Sequence, residues 1–135
     1  MSILHILGFI WCIPNSLIGF IVYLFTFGSS ITEFKSKPYP HIEVIMNNKG
    51  TVYKIFKFIS GGLAGFTIGS FIFICYENYC ERLLKHELEH VRQNMVYGIF
   101  KIPLYYLFGA IAFLQGKRPY MDNYFELLAQ DAEIR

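Results

Sequence analysis

Apolar residues fill almost every position from 3 to 28, ILHILGFIWCIPNSLIGFIVYLFTFG, and this 26-residue run exceeds the roughly 20 positions that carry a helix across a bilayer. The pattern predicts a membrane-spanning or membrane-embedded segment over residues 1–30. Pro14 and Asn15 interrupt it, so a kinked span and a re-entrant hairpin both stay open, and a kink needs its freed backbone groups satisfied elsewhere. No Lys or Arg precedes the run, which argues against a cleaved signal peptide. Lys35, Lys37, Lys49, Lys54 and Lys57 all follow it, and the positive-inside tendency then places residues 31–135 in the cytoplasm.

After the apolar segment the period changes. SKPYP reads as a stiff linker, because proline restricts both itself and the residue before it. HIEVIM and TVYKIFKFI are β-rich runs separated by NNKG, whose Asn and Gly tolerate the positive φ of a tight turn, so a short antiparallel pair is expected. His41, at the start of the first run, is expected to be an ordinary strand residue. Residues 58–76, FISGGLAGFTIGSFIFICY, are apolar enough for a second membrane helix. Three glycines among the first eight and the β-branched and aromatic residues that follow favour instead a glycine-rich turn and a buried strand over 66–75.

A helix is predicted next. Asn78 and Glu81 have capping-box spacing, which starts it near residue 79. At 100° per residue, Leu84, Leu88, Val91 and Met95 make one apolar stripe, while His86, His90, Gln93 and Tyr97 share the opposite side. Residues four apart on a helix have Cβ atoms about 6 Å apart, so the two imidazoles can converge on one ion at ~2.0 to 2.1 Å per bond. Glu87, beside the first histidine, is placed to take a proton from a water at that ion. HExxH thus supplies two neutral nitrogen donors, an open coordination position and a base. The plain alternative is a solvated face with Glu–Lys and Glu–Arg pairs, but shuffling this composition produces HExxH only about 0.005 times per chain.

A catalytic zinc usually takes three protein ligands. Downstream carboxylates are Asp122, Glu126, Asp131 and Glu133. Asn123 and Glu126 repeat the capping-box spacing, predicting a helix from about 124, and a carboxylate from a second helix is the usual completion of a two-histidine site. Glu126 is therefore the expected third ligand, though a capping role would also explain it. Ala129, one turn later, lets two helices approach closely. Asp131 or Glu133 then accepts the outward N–H of a ligand histidine, with Asp131 preferred.

Composition narrows the class. The chain has 135 residues, 54% hydrophobic, 19% aromatic and only 16% charged, which fits one domain close to a membrane. A formal charge of +2 with scattered lysines argues against nucleic acid as a partner. Cys12, Cys75 and Cys80 lack CxxC spacing, so neither a disulfide framework nor a cysteine zinc site is expected.

HELEHVRQ followed by the ELLA helix resembles the gluzincin metallopeptidases, in particular small membrane-associated members with little beyond the catalytic core. IPNSLIGFIVYLF, GFTIGSFIFI, YGIFKIPLYY and NYFELLAQDAE extend the resemblance over most of the chain. It implies a Zn2+ cofactor held by His86, His90 and Glu126, Glu87 as general base, and an extended peptide lying along the strand before the active-site helix. Tyr97 and Tyr105 are the candidates for the oxyanion stabiliser that larger relatives possess. The apolar run IPLYYLFGAIAFL, 13 residues, is too short to span a bilayer untilted and is expected to dock on one.

The resulting expectation is an α+β fold: a minimal zincin-like core, with a short antiparallel sheet, an active-site helix and a glutamate helix, behind an N-terminal membrane helix. Residues 31–135 form the metallopeptidase domain, its partners being a peptide or protein substrate and the lipid bilayer. Two other classes stay open. One is a non-hydrolytic zinc-binding membrane protein. The other is a multi-span protein with helices at 3–28, 58–76 and 99–115.

Overall fold

The structure, a computed structural model, describes residues 3–26 and 28–135. Its centre is a four-stranded mixed sheet in the order β1-β2-β4-β3, formed by β1 (Ser30–Lys35), β2 (His41–Met46), β3 (Gly65–Ile68) and β4 (Phe71–Cys75). β1 pairs antiparallel with β2, β2 parallel with β4, and β3 antiparallel with β4. The α+β class holds, but the sheet is mixed and not wholly antiparallel.

The parallel pair explains the main local correction. A tight turn cannot join parallel strands, so the chain must cross over between β2 and β4. TVYKIFKFI supplies the crossover as a helix, α3 (Thr51–Ser60), and not as the second strand of a hairpin. Its β-rich composition is overridden by its contacts: Val52, Tyr53 and Phe56, at one-turn spacing, pack on the sheet. Gly61 ends it in the left-handed region at φ 66°. β2 finds its antiparallel partner upstream instead, in SITEFK.

Residues 58–76 contain no membrane helix. They hold the end of α3, the glycine turn and the β3–β4 hairpin, so the single strand expected over 66–75 is two strands joined at Gly69 and Ser70. Every residue of β4 is buried. Its alternation divides the core. Ile72 and Ile74 face Cys12, Val91 and Met95. Phe71, Phe73 and Cys75 face the other way with Val44 and Met46, toward α3, and Phe66 stacks on Phe73 at 4.7 Å between centroids.

The N-terminal segment forms two helices, α1 (Ile3–Trp11) and α2 (Ile13–Leu24), bent by 64° at the break before Pro14. Both pack on the rest of the chain. Asn15 is buried and donates through Nδ2 to Asn94 Oδ1 at 3.0 Å and to the Gly98 carbonyl at 2.7 Å. Ser16 Oγ accepts from the Ser70 amide at 3.1 Å. At Gly19 an added Cβ would lie 2.6 Å from the Ile68 carbonyl, so only glycine permits this approach of α2 to the hairpin.

α4 (Glu81–Tyr97) carries HELEH, and its predicted stripe is the buried one: Val91 and Met95 lie in the core with Leu84 and Leu88 packed beside them. It starts at residue 81 with Cys80 as N-cap. The Asn78–Glu81 capping box does not form, because a 3-10 turn at Tyr76–Asn78 and an extended Tyr79 come first; Asn78 Oδ1 accepts from Lys57 instead, at 3.2 Å. A 3-10 turn at Gly98–Phe100 leads to α5 (Lys101–Leu114), and α6 (Tyr124–Ile134) closes the chain. The stretch Glu81–Leu114 is long and apolar enough to cross a membrane by length and composition, which the 13-residue run taken alone is not. α1, α2 and α5 all leave large apolar side chains exposed, among them Leu4, Leu17, Phe20, Leu107 and Leu114.

Candidate functional site

α4 and α6 pack against each other, with Gln93 Nε2 on α4 donating to the Phe125 carbonyl at 3.0 Å and with Phe125 and Ala129 on α6 wholly without exposed surface. Asn123 starts α6 where the sequence places it, with Oδ1 accepting from the Phe125 amide at 3.1 Å. Glu126 is thereby freed from capping and turned toward α4. Its Oε2 lies 3.3 Å from His86 Nε2 and its Oε1 3.4 Å from His90 Nε2. His86, His90 and Glu126 each offer one ligand atom, and these atoms all lie within 4.8 Å of one another.

The hydrogen bonds behind the histidines decide which nitrogens face inward. His86 Nδ1 donates to Glu133 Oε1 at 2.8 Å. His90 Nδ1 contacts Gln93 Oε1 at 2.9 Å, while Gln93 Nε2 donates to the Phe125 carbonyl at 3.0 Å, which fixes the amide orientation and makes Nδ1 of His90 the donor. Both Nδ1 protons are committed outward, so neutral rings present Nε2 lone pairs to a carboxylate. That arrangement repels unless positive charge lies between, either as a proton on each Nε2 or as a metal ion. A tetrahedral ion with ~2.0 to 2.1 Å bonds spaces its ligand atoms about 3.3 Å apart; here each histidine faces a different oxygen of the same carboxylate at 3.3 and 3.4 Å, and one atom from each of the three residues lies within 4.8 Å of the others. The donor set fits a divalent metal.

The outer shell corrects one expectation. Glu133, not Asp131, accepts from His86, because Asp131 points along α6 to Arg135. Arg82 holds Glu133 from the far side at 2.5 Å. Desolvation pushes the Glu133 carboxyl up, but hydrogen bonds from Arg82 and His86 bring it below its ordinary value, so it is ionised where it is needed. For a divalent ion held at the triad, replacing Glu133 by Ala should weaken binding ~10–100-fold and Asp131→Ala should leave it unchanged; competition against a chromophoric chelator reads both.

Desolvation likewise works against the Glu126 charge, and the hydrogen bonds from His86, His90 and Tyr105 outweigh it, holding the carboxyl far below the usual range. The Tyr105 hydroxyl donates to Glu126 Oε1 at 2.6 Å, so its role is to orient this carboxylate. Tyr97 packs edge-on against Phe125, ring to ring at 5.2 Å. Of the two tyrosines proposed from sequence, Tyr105 lines the cleft with its hydroxyl committed to Glu126, and Tyr97 is not among the residues that line it.

Glu87 is buried on the side of the triad nearest the sheet. Thr67 of β3 donates to its Oε2 at 2.6 Å, and Gly65 stands opposite Oε1, where an added Cβ would sit 3.4 Å away. The cleft beside them measures about 320 Å³ and is lined by β3 and Gly69 of the turn after it, by Glu87, His90 and Glu126, and by Ile18, Lys101 and Tyr120 among others. His41 lies outside it, bonded to the Tyr39 carbonyl and Glu43, as an ordinary strand residue.

Comparison with protein-family models, curated proteins and solved structures finds no match.

Thr67, Tyr120 and Lys101 enter the site without having been singled out from the sequence. Only Lys101 left a trace there, as the lone cation within the apolar stretch IFKIPLYY.

Proposed function

We propose that this chain is a membrane-associated zinc metallopeptidase with a minimal zincin-like core, hydrolysing peptide bonds in the cleft between β3 and α5. The observation that carries the reading is the meeting of two inward Nε2 atoms with Glu126 at 3.3 and 3.4 Å, beside a separate buried carboxylate. A zinc ion at the triad supplies Lewis acidity to a carbonyl and to water.

The chain's own residues supply the rest. Glu87 takes the proton of the attacking water at Oε1, the oxygen that Thr67 leaves open, and passes it to the leaving amine. Thr67 holds Oε2 and so aims the carboxylate. β3 is an edge strand whose residues line the cleft, and an extended peptide can add to that edge through backbone hydrogen bonds with little sequence preference.

The exposed apolar surfaces of α1, α2 and α5 support immersion in a bilayer, with the lysines that follow α2 favouring a cytoplasmic site. Ile18 of α2 and Ile102 and Tyr106 of α5 form part of the cleft wall, which suits a membrane-proximal peptide segment as substrate.

Full-length protein purified in detergent is expected to contain about one zinc per chain by elemental analysis and to cleave a mixed peptide pool in a manner abolished by chelation and restored by added zinc. Protein that binds no zinc, or whose cleavage ignores the chelator, would exclude the reading.

A further inference from the structure

α5 begins with a lysine in its first turn and no acidic residue there, against the preference of a helix N-terminus for negative charge. Lys101 is nevertheless only 7% exposed. Its Nζ stands 4.5 Å from the Tyr105 ring centre and 5.0 Å from that of Phe125, and the residue lines the cleft. Among the described residues its side chain makes no hydrogen bond and no ion pair.

Most of the side chain is packed away while Nζ still opens on the cleft, since among the described residues no fully buried side-chain nitrogen or oxygen lacks a partner; the two aromatic faces offset only part of what the ammonium loses by leaving bulk water. The acids that act on it at longer range, Glu126 and Glu87, are engaged elsewhere: Glu126 with the histidines and Tyr105, Glu87 with Thr67. With a divalent ion on Glu126 and with Glu87 ionised, those charges cancel. Lys101 then leaves the cleft with one uncompensated positive charge, and its three N–H donors have no acceptor from the protein.

We infer that Lys101 is a carboxylate-binding subsite that selects peptides carrying a negative group close to the bond to be cut. The inference rests on the peptidase reading of the same cleft. A free C-terminal carboxylate and an acidic side chain share the chemistry. Lys101 is a specificity determinant in this assignment and takes no part in proton transfer.

Binding separates this from turnover. The probes are an N-acetylated alanine tetrapeptide with a free C-terminal carboxylate, the same peptide as its amide, and the amide with glutamate as its last residue. Each is titrated calorimetrically into zinc-loaded full-length Glu87→Gln protein in detergent, and into the metal-free protein. The free acid or the glutamate peptide should bind about tenfold tighter than the plain amide, and whichever does so identifies the source of the carboxylate. Lys101→Met should erase the difference, and Lys101→Arg should retain most of it.

Equal binding of all three probes to protein with Lys101 intact overturns the assignment, as does lack of binding by any. So does discrimination that survives in a folded Lys101→Met protein, since that would trace it to the metal. Because the acid-versus-amide comparison needs no Lys101 variant, a variant that misfolds does not decide the outcome. A protein that prefers the acid yet never binds zinc would refute the hydrolase and leave the anion subsite standing.

Discussion

Replacing Glu87 by Gln is expected to lower kcat for peptide hydrolysis by ~10²–10⁴-fold while zinc per chain stays unchanged. The substitution keeps the shape of a side chain that is 3% exposed and tied to Thr67, so the cleft wall should hold its form. It removes the one property that matters, a carboxylate oxygen able to accept a proton. Because Glu87 is not among the three converging ligand groups, metal occupancy has no reason to fall. Steady-state hydrolysis and elemental analysis on the same preparation check both halves. Full activity in the variant would remove Glu87 from the chemistry.

Replacing Glu126 by Ala should act in the opposite way, reducing zinc affinity by more than the ~10–100-fold that losing an outer hydrogen-bond partner costs. Three groups converge here, and without the carboxylate the two imidazoles face a gap bordered by the Tyr105 hydroxyl. α6 should stay docked, since Asn123 caps it and Phe125 and Ala129 bury its inner face independently of Glu126. Retained helical circular dichroism with loss of zinc is the expected pair of results. Unchanged zinc content would move the third ligand to another residue.

Several features of this site are legible in the chain because they are local. HELEH has i, i+4 spacing, and helical geometry alone puts both imidazoles on one side. The stripe of Leu84, Leu88, Val91 and Met95 belongs to the same period and is found on the core side. Asn123 marks the start of α6 by a hydrogen bond within its own turn. Glu126 was separable from its acidic neighbours because the Asn123 spacing put it in the first turn of a predicted second helix, the usual source of the third group for a two-histidine site, with the small Ala129 one turn later.

Other features were not legible. TVYKIFKFI is β-rich by composition and becomes α3, since the parallel pairing of β2 with β4 demands a crossover. Asp131 and Glu133 differ by two positions on one helix, and only the docking angle of α6 decides that Glu133 meets His86. Tyr105 lies 21 residues from Glu126 in the chain, so its hydrogen bond has no periodic signature.

By itself, then, the sequence determined the paired imidazoles on one helix face, the buried stripe behind them, the start of the glutamate helix and the apolar character of α1, α2 and α5. Tertiary structure alone decided the mixed sheet, the integration of α1 and α2 into the body through Asn15 and Ser16, the outer partner of His86, and the burial of Lys101 in the cleft. The division has one cause. Backbone geometry dictates relations within about one helical turn, whereas contacts between distant segments depend on how packed faces dock, and many sequences permit more than one docking until the whole core is assembled.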